Sequence, residues 1–464
     1  MVILKFGGSS VGSVDRINRV IQILDQYYIK KKRNFSVVFS AFQGVTDNLI
    51  EIGNSAFDRK NNYKEEFNRL YQKHIDTAKG LNPNKNVALI EKLNYLFTEL
   101  EEILHGVYLV KELTARTLDY ILSFGERCSN TIISETLLNR NIACDYLDAS
   151  TLIKTNNEFG NARVDFLTTN KNIKGYFKKK KNPQIITGFI GSTINNEITT
   201  LGRGGSDYTA SIFGAALNVS AIEIWTDVDG ILTADPRKVK NAFPLKSVSY
   251  EEAMELSHFG AKVIYPPTML PALQKKIKII IKNTFNPTFS GTEISNSSLN
   301  DQFTIKGISS IDDISIIRVQ GGGMIGVTGI ASRLFGVLAK NRINIILISQ
   351  ASSEHSICLA VLPAFGAKAK KVIEEEFRLE MIDKKIGSVI VDENLSIIAV
   401  VGENMRHTFG IAGKVFQALG KNKININAIA QGSSELNISL VISKHDLTKA
   451  LNVIHKNLLQ TKRR

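Results

Sequence analysis

The C-terminal third of the chain contains an internal repeat, which constrains the fold more than any other feature of the sequence. Residues 329–361 recur 81 positions later as residues 410–442, without a gap and with 17 identical positions out of 33. Each copy reads as a helix, a strand, a Gln-x-Ser-Ser-Glu turn and a second strand. Two copies are too few for a solenoid, so the repeat predicts a pair of small α+β modules.

The first half of the chain has a different pattern, in which short apolar runs alternate with helical segments. The strand-like runs begin at Val2, Phe35, Pro183, Ala221 and Ile277. Such alternation is typical of an α/β domain, with a parallel sheet between helices. A long helical block at about 64–128 interrupts the series, and turn-forming residues between 283 and 300 mark a domain boundary.

We therefore predict an α/β domain at 1–290, a first module at 301–390 and a second module at 391–464. Hydrophobic residues make up 43% of the chain and charged residues 22%, as in soluble globular proteins. No apolar run approaches the ~20 residues of a membrane helix, and no leader is visible. Three scattered cysteines form neither a disulfide framework nor a zinc cluster. We expect a cytoplasmic protein with no membrane partner.

The net charge of +14 indicates a lysine-rich surface. The basic runs at 30–33, 178–181 and 462–464 are not interleaved with aromatic residues, and we see no known nucleic-acid-binding module. We interpret these runs as solvated surface and expect no nucleic-acid partner. A positive charge suits anionic small substrates, although that indication is weak.

The first glycine-rich turn is Lys5-Phe-Gly-Gly-Ser-Ser10, between a predicted strand and a predicted helix. Such a turn directs backbone N–H groups and a helix N-terminus at an anion, and Lys5 could neutralise phosphate charge. The turn is not a Walker A loop, because no Lys-Ser/Thr pair follows it. A plain strand–helix turn with a solvated lysine remains open on spacing alone.

The second glycine-rich turn is Arg203-Gly-Gly-Ser-Asp207, before another predicted helix. An arginine here can grip a carboxylate or a phosphate with two parallel hydrogen bonds. The alternative is ordinary N-capping by Ser206 or Asp207. Capping alone would not require Arg-Gly-Gly beside it, so we favour a binding role.

The third glycine-rich turn, at residues 321–326, fits the pattern Gly-x-Gly-x-x-Gly but does not predict a dinucleotide site. That site needs an acidic residue ~20 positions further on, and the corresponding stretch is Asn344-Ile-Ile-Leu-Ile348. We exclude nicotinamide binding here.

Two further segments carry candidate residues. Thr226, Asp227 and Arg237 follow a predicted strand, where ligands of parallel sheets collect, although Asp-Gly turn chemistry explains them equally well. Glu126 ends the helical block and could orient an amino group, or it could be a surface glutamate. No H-x-x-x-H pair occurs in the sequence, and we see no cysteine–histidine signature.

Together these motifs resemble the aspartate kinase family, and they occur in the order that the family has. The matching segments are Lys-Phe-Gly-Gly-Ser-Ser at 5–10, Ser-Ala-Phe-Gln-Gly-Val-Thr-Asp at 40–47, Phe-Gly-Glu at 124–126, Arg-Gly-Gly-Ser-Asp at 203–207, Trp-Thr-Asp at 225–227, Asp-Pro-Arg at 235–237 and Phe-Gly-Ala-Lys-Val at 259–263. The chain is most similar to the kinase portion of bifunctional aspartate kinase–homoserine dehydrogenases, without the dehydrogenase half. Leu232 stands where many members carry a tyrosine.

The resemblance implies an amino-acid kinase fold followed by two ACT-like regulatory modules. It also implies transfer of a phosphoryl group from ATP to the side-chain carboxylate of L-aspartate, the first step toward lysine, threonine and methionine. Mg²⁺ is expected between the phosphates. The ACT-like pair implies regulation by an end product, threonine or lysine, and a homodimer or higher oligomer.

The resemblance also assigns residues. The catalytic residues are Lys5, which stabilises the charge of the γ-phosphoryl group, and Asp207, which organises Lys5. The substrate-binding residues are Thr46, Glu126, Arg203, Gly204 and Ser206. Among them, Glu126 faces the α-ammonium of aspartate, and Arg203 binds a carboxylate of the substrate. The nucleotide residues are Lys5, Gly7, Gly8, Ser9, Thr226, Asp227, Leu232, Arg237 and Lys262. The effector candidates are Asn344, Gln350, Asn425 and Gln431, for which polar strand ends are an equal alternative.

Two other functions stay open from the sequence. One is a catalytically inactive amino-acid sensor that uses only the ACT pair, and the other is a different phosphotransferase of the amino-acid kinase fold. All of these assignments to an active kinase depend on one geometric expectation, namely that Lys5 and the Arg203–Asp207 turn meet in a single pocket.

Overall fold

The computed structural model describes residues 1–60, 62–260, 264–296, 303–324, 328–350 and 356–459. The chain forms two compact units. The first unit comprises Met1–Ile231, Pro244–Tyr250 and Val263–Leu299, and the second comprises Leu232–Phe243, Glu251–Lys262 and Asn300–Arg464. Two segments of the predicted α/β domain, 232–243 and 251–262, therefore lie in the second unit.

Strands and helices alternate along much of the first half of the chain, and the two longest strands, β11 and β14 with 14 residues each, lie in the second half. The strands are β1 (Val2–Phe6), β2 (Phe35–Phe39), β3 (Asp145–Leu147), β4 (Gln184–Thr187), β5 (Ile190–Ser192), β6 (Ile198–Thr200), β7 (Ala221–Thr226), β8 (Ser247–Ser249), β9 (Lys278–Asn283), β10 (Thr292–Ser295), β11 (Gly307–Gln320), β12 (Leu347–Gln350), β13 (Ser356–Val361), β14 (Ser388–Val401), β15 (Ala428–Ala430) and β16 (Asn437–Ser443). The helices are α1 (Val14–Leu24), α2 (Val45–Phe57), α3 (Tyr63–Leu81), α4 (Val87–Val110), α5 (Ala115–Asn139), α6 (Phe166–Phe177), α7 (Gly205–Leu217), α8 (Tyr250–His258), α9 (Leu270–Gln274), α10 (Ile330–Lys340), α11 (Gly366–Glu376), α12 (Arg378–Ile382), α13 (Ile411–Lys421) and α14 (Leu447–Leu458).

The first unit is built on an eight-stranded sheet in the order β3-β4-β2-β1-β7-β9-β10-β8. The neighbours from β3 to β9 are parallel, and only the β9–β10 pair of this sheet is antiparallel. The parallel-rich sheet that the sequence predicts is thus confirmed. Because β1 lies between β2 and β7, the segments that follow these three strands meet at one edge of the sheet.

The central strands are buried because both of their faces are covered. All five residues of β2 are buried, and Phe6 of β1 stacks on Phe39 and Trp225, with ring centroids 5.6 Å apart in each pair. Burial on both faces explains why these strands read as continuous apolar runs rather than as alternating ones. Lys5 is the charged exception in β1.

The predicted helical block consists of helices α3, α4 and α5, and it runs further than the sequence indicated. Helix α5 begins at Ala115, after the N-cap residue Thr114, whose side chain accepts from Thr117 N, and it continues beyond Cys128 to Asn139. Buried Ile132, Ile133 and Leu137 extend its apolar face. The helix ends only where Asn141 adopts a left-handed conformation with φ of 60°.

The second unit contains an antiparallel sheet in the order β12-β13-β11-β14-β16-β15, on which the two repeat copies pack. Its central strands β11 and β14 pair along their length, with register shifts between Ile311 and Ile316. Before the shift, Ile308 lies in a core with Val415 of the second copy. After the shift, Ile317 lies in a core with Leu334 of the first copy.

One strand therefore serves both modules, and the predicted division at residue 390 does not separate the two cores. The sequence repeat reveals the two copies. The sequence of β11, which precedes the first copy, does not indicate which core each half of that strand joins. The ACT-like pair that the sequence predicts is present as a fold. None of the described helices is long and apolar enough to cross a membrane.

Candidate active site

The turn after β1 is fixed against both neighbouring strands. Gly7 N donates to Trp225 O at the end of β7 (3.3 Å), and Ser10 N donates to Gly7 O (2.8 Å). Ser10 Oγ also lies 2.7 Å from Thr284 Oγ1, just after β9. A Cβ atom at Gly8 would lie 3.1 Å from Ala41 O, so the turn approaches the segment after β2 closely.

Lys5 and Asp207 form an ion pair at the edge of the sheet. Lys5 Nζ lies 2.6 Å from Asp207 Oδ1, and the two side chains are 11% and 12% exposed. Asp207 stands in the first turn of α7. The structure thus brings together the two segments whose meeting the sequence led us to expect.

The turn from Gly202 to Gly204 adopts a backbone that favours glycine. Gly202 and Gly204 have φ values of 70° and 72°, and Gly204 is the N-cap residue of α7. The first backbone N–H groups of a helix have no partner within it, and together with its dipole they attract anions. Arg203 is exposed, and its guanidinium lies 5.4 Å from the ring centre of Tyr265.

Glu126 is not a surface glutamate, because it is only 2% exposed. Its Oε1 accepts from Ala41 N at 3.2 Å, whereas its Oε2 has no hydrogen-bond partner among the described residues. Burial raises the pKa of the Glu126 carboxyl to about 8. A buried carboxylate with one free oxygen is suited to receive a cationic group of a ligand.

These groups line one cavity of about 630 Å³ in the first unit. The predicted site residues among its lining are Lys5, Gly8, Thr46, Glu126, Arg203, Gly204, Ser206 and Asp207. The cavity therefore combines a paired lysine, an arginine, a free carboxylate oxygen and the N-terminus of α7. Gly7 and Ser9 flank it in the turn after β1.

Sequence reasoning missed Asp119, which also lines the cavity. This buried carboxylate accepts from Gly160 N (2.8 Å), Thr200 N (2.9 Å) and Thr200 Oγ1 (2.7 Å). Burial raises the pKa of the Asp119 carboxyl, and the three hydrogen bonds oppose that rise. A signal was present, since Asp119 and Glu126 are seven residues apart and share one face of α5.

The nucleotide candidates are only partly brought together. Thr226 ends β7 and Asp227 follows it, and Thr226 Oγ1 donates to Asp227 Oδ1 (3.2 Å). Leu232 and Arg237 belong to the second unit. Arg237 is 83% exposed and paired with Asp235 at 2.7 Å. Lys262 lies outside the described residues.

Leu232 and Arg237 fall in the second unit because their segment packs on the second module. Ala234 and Val239 are buried in its core, and Ile308 N donates to Thr233 O at 2.8 Å. Thr233 Oγ1 also lies 3.0 Å from Nε2 of the buried His455 in α14. From its position after β7, the sequence predicts that this segment lies near the nucleotide. The sequence does not indicate the contacts of the segment with Ile308 and His455.

The four effector candidates are exposed at strand ends. Asn344 precedes β12, which ends at Gln350, and Asn425 precedes β15, which Gln431 follows. The two edge strands also touch, since Ser349 Oγ donates to Ile429 O at 2.8 Å. Polar strand ends and effector contacts therefore both remain open for these residues.

The described residues contain no group of three or more His, Cys, Asp or Glu side chains that could hold a metal ion. Asp207, which lines the cavity, is already paired with Lys5. This donor set fits an ion held mainly by phosphate oxygens and water, as Mg²⁺ often is, and it does not fit an all-protein metal cage.

Comparison with known proteins agrees with this architecture. The amino acid kinase family matches residues 1–283, and the ACT domain matches residues 317–377 and 398–458. The chloroplastic bifunctional aspartokinase/homoserine dehydrogenase of Daucus carota is 36% identical over 461 residues, which cover 97% of this chain and 50% of that protein. The chain thus spans about half the length of the bifunctional relatives. Chloroplastic aspartokinase 3 of Arabidopsis thaliana is 32% identical, over 99% of this chain and 82% of that protein.

Two solved structures have the same architecture over nearly the whole chain. E. coli aspartokinase III in complex with aspartate and ADP superposes with a TM-score of 0.83 at 27% identity, covering 99% of both chains. The aspartate kinase of Clostridium acetobutylicum gives a TM-score of 0.81 at 27% identity, covering 99% of this chain and 100% of that one.

Proposed function

The chain belongs to the aspartokinase family, and we propose that it transfers the γ-phosphoryl group of ATP to the side-chain carboxylate of L-aspartate. The products are ADP and 4-phospho-L-aspartate. This reaction is the first step toward lysine, threonine and methionine. The observation that carries the proposal is the Lys5–Asp207 pair, which faces the same cavity as the free oxygen of Glu126. An inactive sensor would have no need of this buried arrangement.

The reaction needs no general base, because the attacking carboxylate of aspartate is ionised at neutral pH. One carboxylate oxygen forms the new bond to the γ-phosphorus while the bond to the ADP oxygen breaks. Catalysis then depends on alignment and on neutralising the charge of the transferring group. Lys5 supplies a positive charge at that point, and Asp207 holds its ammonium in place.

Aspartate is oriented by charges of both signs. Glu126 Oε2 receives the α-ammonium, which replaces the missing partner of that oxygen. Arg203 at the mouth of the cavity binds the α-carboxylate. Thr46 and Ser206 complete the pocket with hydroxyl groups, and Gly204 leaves room for the substrate.

The nucleotide lies along the turn after β1, with its phosphates toward Gly7, Gly8 and Ser9. Thr226 and Asp227 contact its nucleoside part, and Arg237, Leu232 and Lys262 are proposed for the same ligand by family resemblance. Mg²⁺ would be held by the ATP phosphates, where it neutralises charge. The E. coli structure, which holds aspartate and ADP, supports both substrates.

The ACT pair regulates the kinase in this proposal. A related E. coli structure is a complex with lysine and aspartate in a T-state. By analogy, threonine or lysine binds at the modules near Asn344, Gln350, Asn425 or Gln431 and shifts the kinase between states. Pairing of the modules between subunits would give a homodimer or a higher oligomer.

The test is an assay of acyl phosphate formation by the full chain. Hydroxylamine traps 4-phosphoaspartate as a hydroxamate, so ATP and aspartate together should give product, and omission of either should give none. Glutamate, which is one methylene longer, should react far more slowly. Absence of hydroxamate with aspartate, or equal product with glutamate, would refute the proposal. Threonine and lysine added separately then identify the effector.

A further inference from the structure

Arg16 connects the two loops that frame the cavity, although no motif in the sequence marked it. It stands in the first turn of α1, and its Nη1 donates to Ser9 O and to Gln43 Oε1, each at 2.8 Å. Ser9 belongs to the turn after β1, and Gln43 belongs to the loop after β2. We propose that Arg16 is a positioning residue that holds the phosphoryl-donor turn in register with the substrate loop. This inference rests on the proposed function.

The loop that carries Gln43 is held from several sides. Lys73 of α3 donates from Nζ to Gln43 O at 2.8 Å, and two residues earlier Ala41 N donates to Glu126. A Cβ atom at Gly12 would lie 3.0 Å from Gln43 Oε1, so the turn and the loop pack tightly. A shift of Gln43 would therefore move the loop that contacts the ammonium-binding carboxylate.

The geometry of an arginine suits this role. The guanidinium is planar and presents several donors in a fixed arrangement, and here it also lies 5.5 Å from the ring centre of Phe285, after β9. Arg16 thus contacts the segments that follow three strands of the sheet. In-line transfer depends on this registration, because a displacement of about 1 Å can lower a rate on the order of 100-fold.

A competing role for Arg16 is direct binding of an ATP phosphate. The two roles predict different behaviour when Gln43 is truncated. If Arg16 acts through Gln43, the loss of kcat on removing Arg16 shrinks once Gln43 is alanine. If Arg16 binds phosphate directly, that loss is undiminished and the KM for ATP rises.

Arg19 provides a matched control one turn further along α1. Its guanidinium lies 5.8 Å from the same Phe285 ring, and its Nη1 donates to Phe285 O at 3.2 Å. Among the described residues it has no hydrogen bond to the turn after β1 or to the loop after β2. Arg19→Ala removes a similar charge and stacking contact without touching the link.

The experiment measures kcat and both KM values for the full-length Arg16→Ala, Arg16→Lys, Arg19→Ala, Gln43→Ala and Arg16→Ala/Gln43→Ala variants. Arg16→Ala should lower kcat about 10- to 100-fold with both KM values within about threefold. Arg16→Lys should recover part of the loss, since lysine keeps the positive charge and hydrogen-bond donors but lacks the planar, fixed geometry of the guanidinium. Arg19→Ala should match the unmodified protein.

Equal kcat values for Arg16→Ala and Arg19→Ala, or an undiminished loss in the Gln43→Ala background, would overturn the inference. If Arg16→Ala fails to fold, Arg16→Lys and Arg19→Lys replace it, and only the former should lower kcat. An unmodified chain that makes no 4-phosphoaspartate would instead refute the proposed function, so the two failures are distinct.

Discussion

The substrate side of the cavity and the candidate nucleotide residues are built in contrasting ways. On the substrate side, Lys5, Glu126 and Asp207 lie inside the first unit, largely removed from water and held by short contacts. On the nucleotide side, Asp227 is exposed, and Arg237 belongs to the second unit and is 83% exposed.

The difference indicates where binding energy and charge stabilisation are concentrated. A charge in a water-poor pocket interacts strongly with its neighbours, whereas a charge in solvent is screened. The buried side is also costly to maintain, because each buried charge must keep a partner or be protonated. We therefore expect substitutions of the buried residues Lys5, Glu126 and Asp207 to have large effects and substitutions among the exposed nucleotide residues to have small ones.

The largest effect should come from Lys5→Ala. Removing the cation that compensates the transferring phosphoryl group should lower kcat about 100- to 1,000-fold, as loss of a preorganised charge-stabilising donor does in other enzymes. The measurement is kcat in the hydroxamate assay, with circular dichroism to verify folding. Lys30→Ala is the control, because Lys30 is 69% exposed and pairs with Asp25 away from the cavity lining. If kcat of Lys5→Ala stays within twofold of the unmodified protein, the expectation that the buried residues have the largest effects is wrong.

The second effect concerns Glu126→Gln, which preserves shape but removes the charge. The KM for aspartate should rise about 10- to 100-fold, the worth of a hydrogen bond to a charged group, while kcat changes less. The control is Glu135→Gln on the same helix, where the carboxylate pairs with Lys92 outside the cavity lining. Equal KM values for the two variants would place the ammonium elsewhere.

The third effect is a pH dependence with a defined sign. The pKa of Glu126 lies at about 8 in the free protein, and only its ionised form attracts an ammonium. The KM for aspartate should therefore fall roughly tenfold between pH 7 and pH 8.5, and Glu126→Gln should flatten this profile. A flat profile in the unmodified protein would contradict the assignment.

Glu126 also makes folding stability depend on pH: as the pH rises, aspartate binding improves but the stability contributed by Glu126 decreases. Its pKa in the folded state lies above the ordinary value of 4.5, so the folded protein binds the proton more tightly than the unfolded chain does. That contribution is complete below pH 4.5 and is lost as the pH rises through about 8. Denaturant titrations of Glu126→Gln and the unmodified protein should therefore differ most at alkaline pH, where the variant is the more stable.

The sequence predicted those parts of the fold and site that depend on local pattern. Apolar runs with glycine turns located β1, β7 and the turns at Lys5 and Arg203, and the family resemblance implied that Lys5 meets Asp207. Asp119 and Arg16 were missed because their roles arise from contacts with distant segments, Thr200 and Gln43. Neither residue type is unusual on a helix.

The placement of shared segments was also beyond the sequence. Apolar residues such as Ala234 and Ile308 specify that a segment is buried, and they do not specify in which core. The first half of β11 and the segment 232–243 therefore joined the second module without a local signal. This limit applies most strongly to the nucleotide candidates, since Leu232 and Arg237 lie on such a segment.

The smallest effect should come from Arg237→Ala, and it tests the weaker side of the comparison. Arg237 already pairs with Asp235, which accepts from both its backbone N and its side chain, and it is surrounded by solvent. An exposed guanidinium that is already paired with a carboxylate of its own chain adds little energy to the binding of ATP. We expect the KM for ATP to rise about threefold, with the KM for aspartate unchanged. Arg406→Ala, another exposed arginine of the second unit, is the control.

The result separates three explanations of the contrast. A rise specific to ATP would mean that Arg237 contributes to nucleotide binding. A KM for ATP equal to that of Arg406→Ala would leave nucleotide binding to the first unit, through Gly7, Thr226 and Asp227. A rise of 100-fold would instead mean that Arg237 becomes buried against a phosphate, and the distinction between a buried and an exposed side would no longer hold.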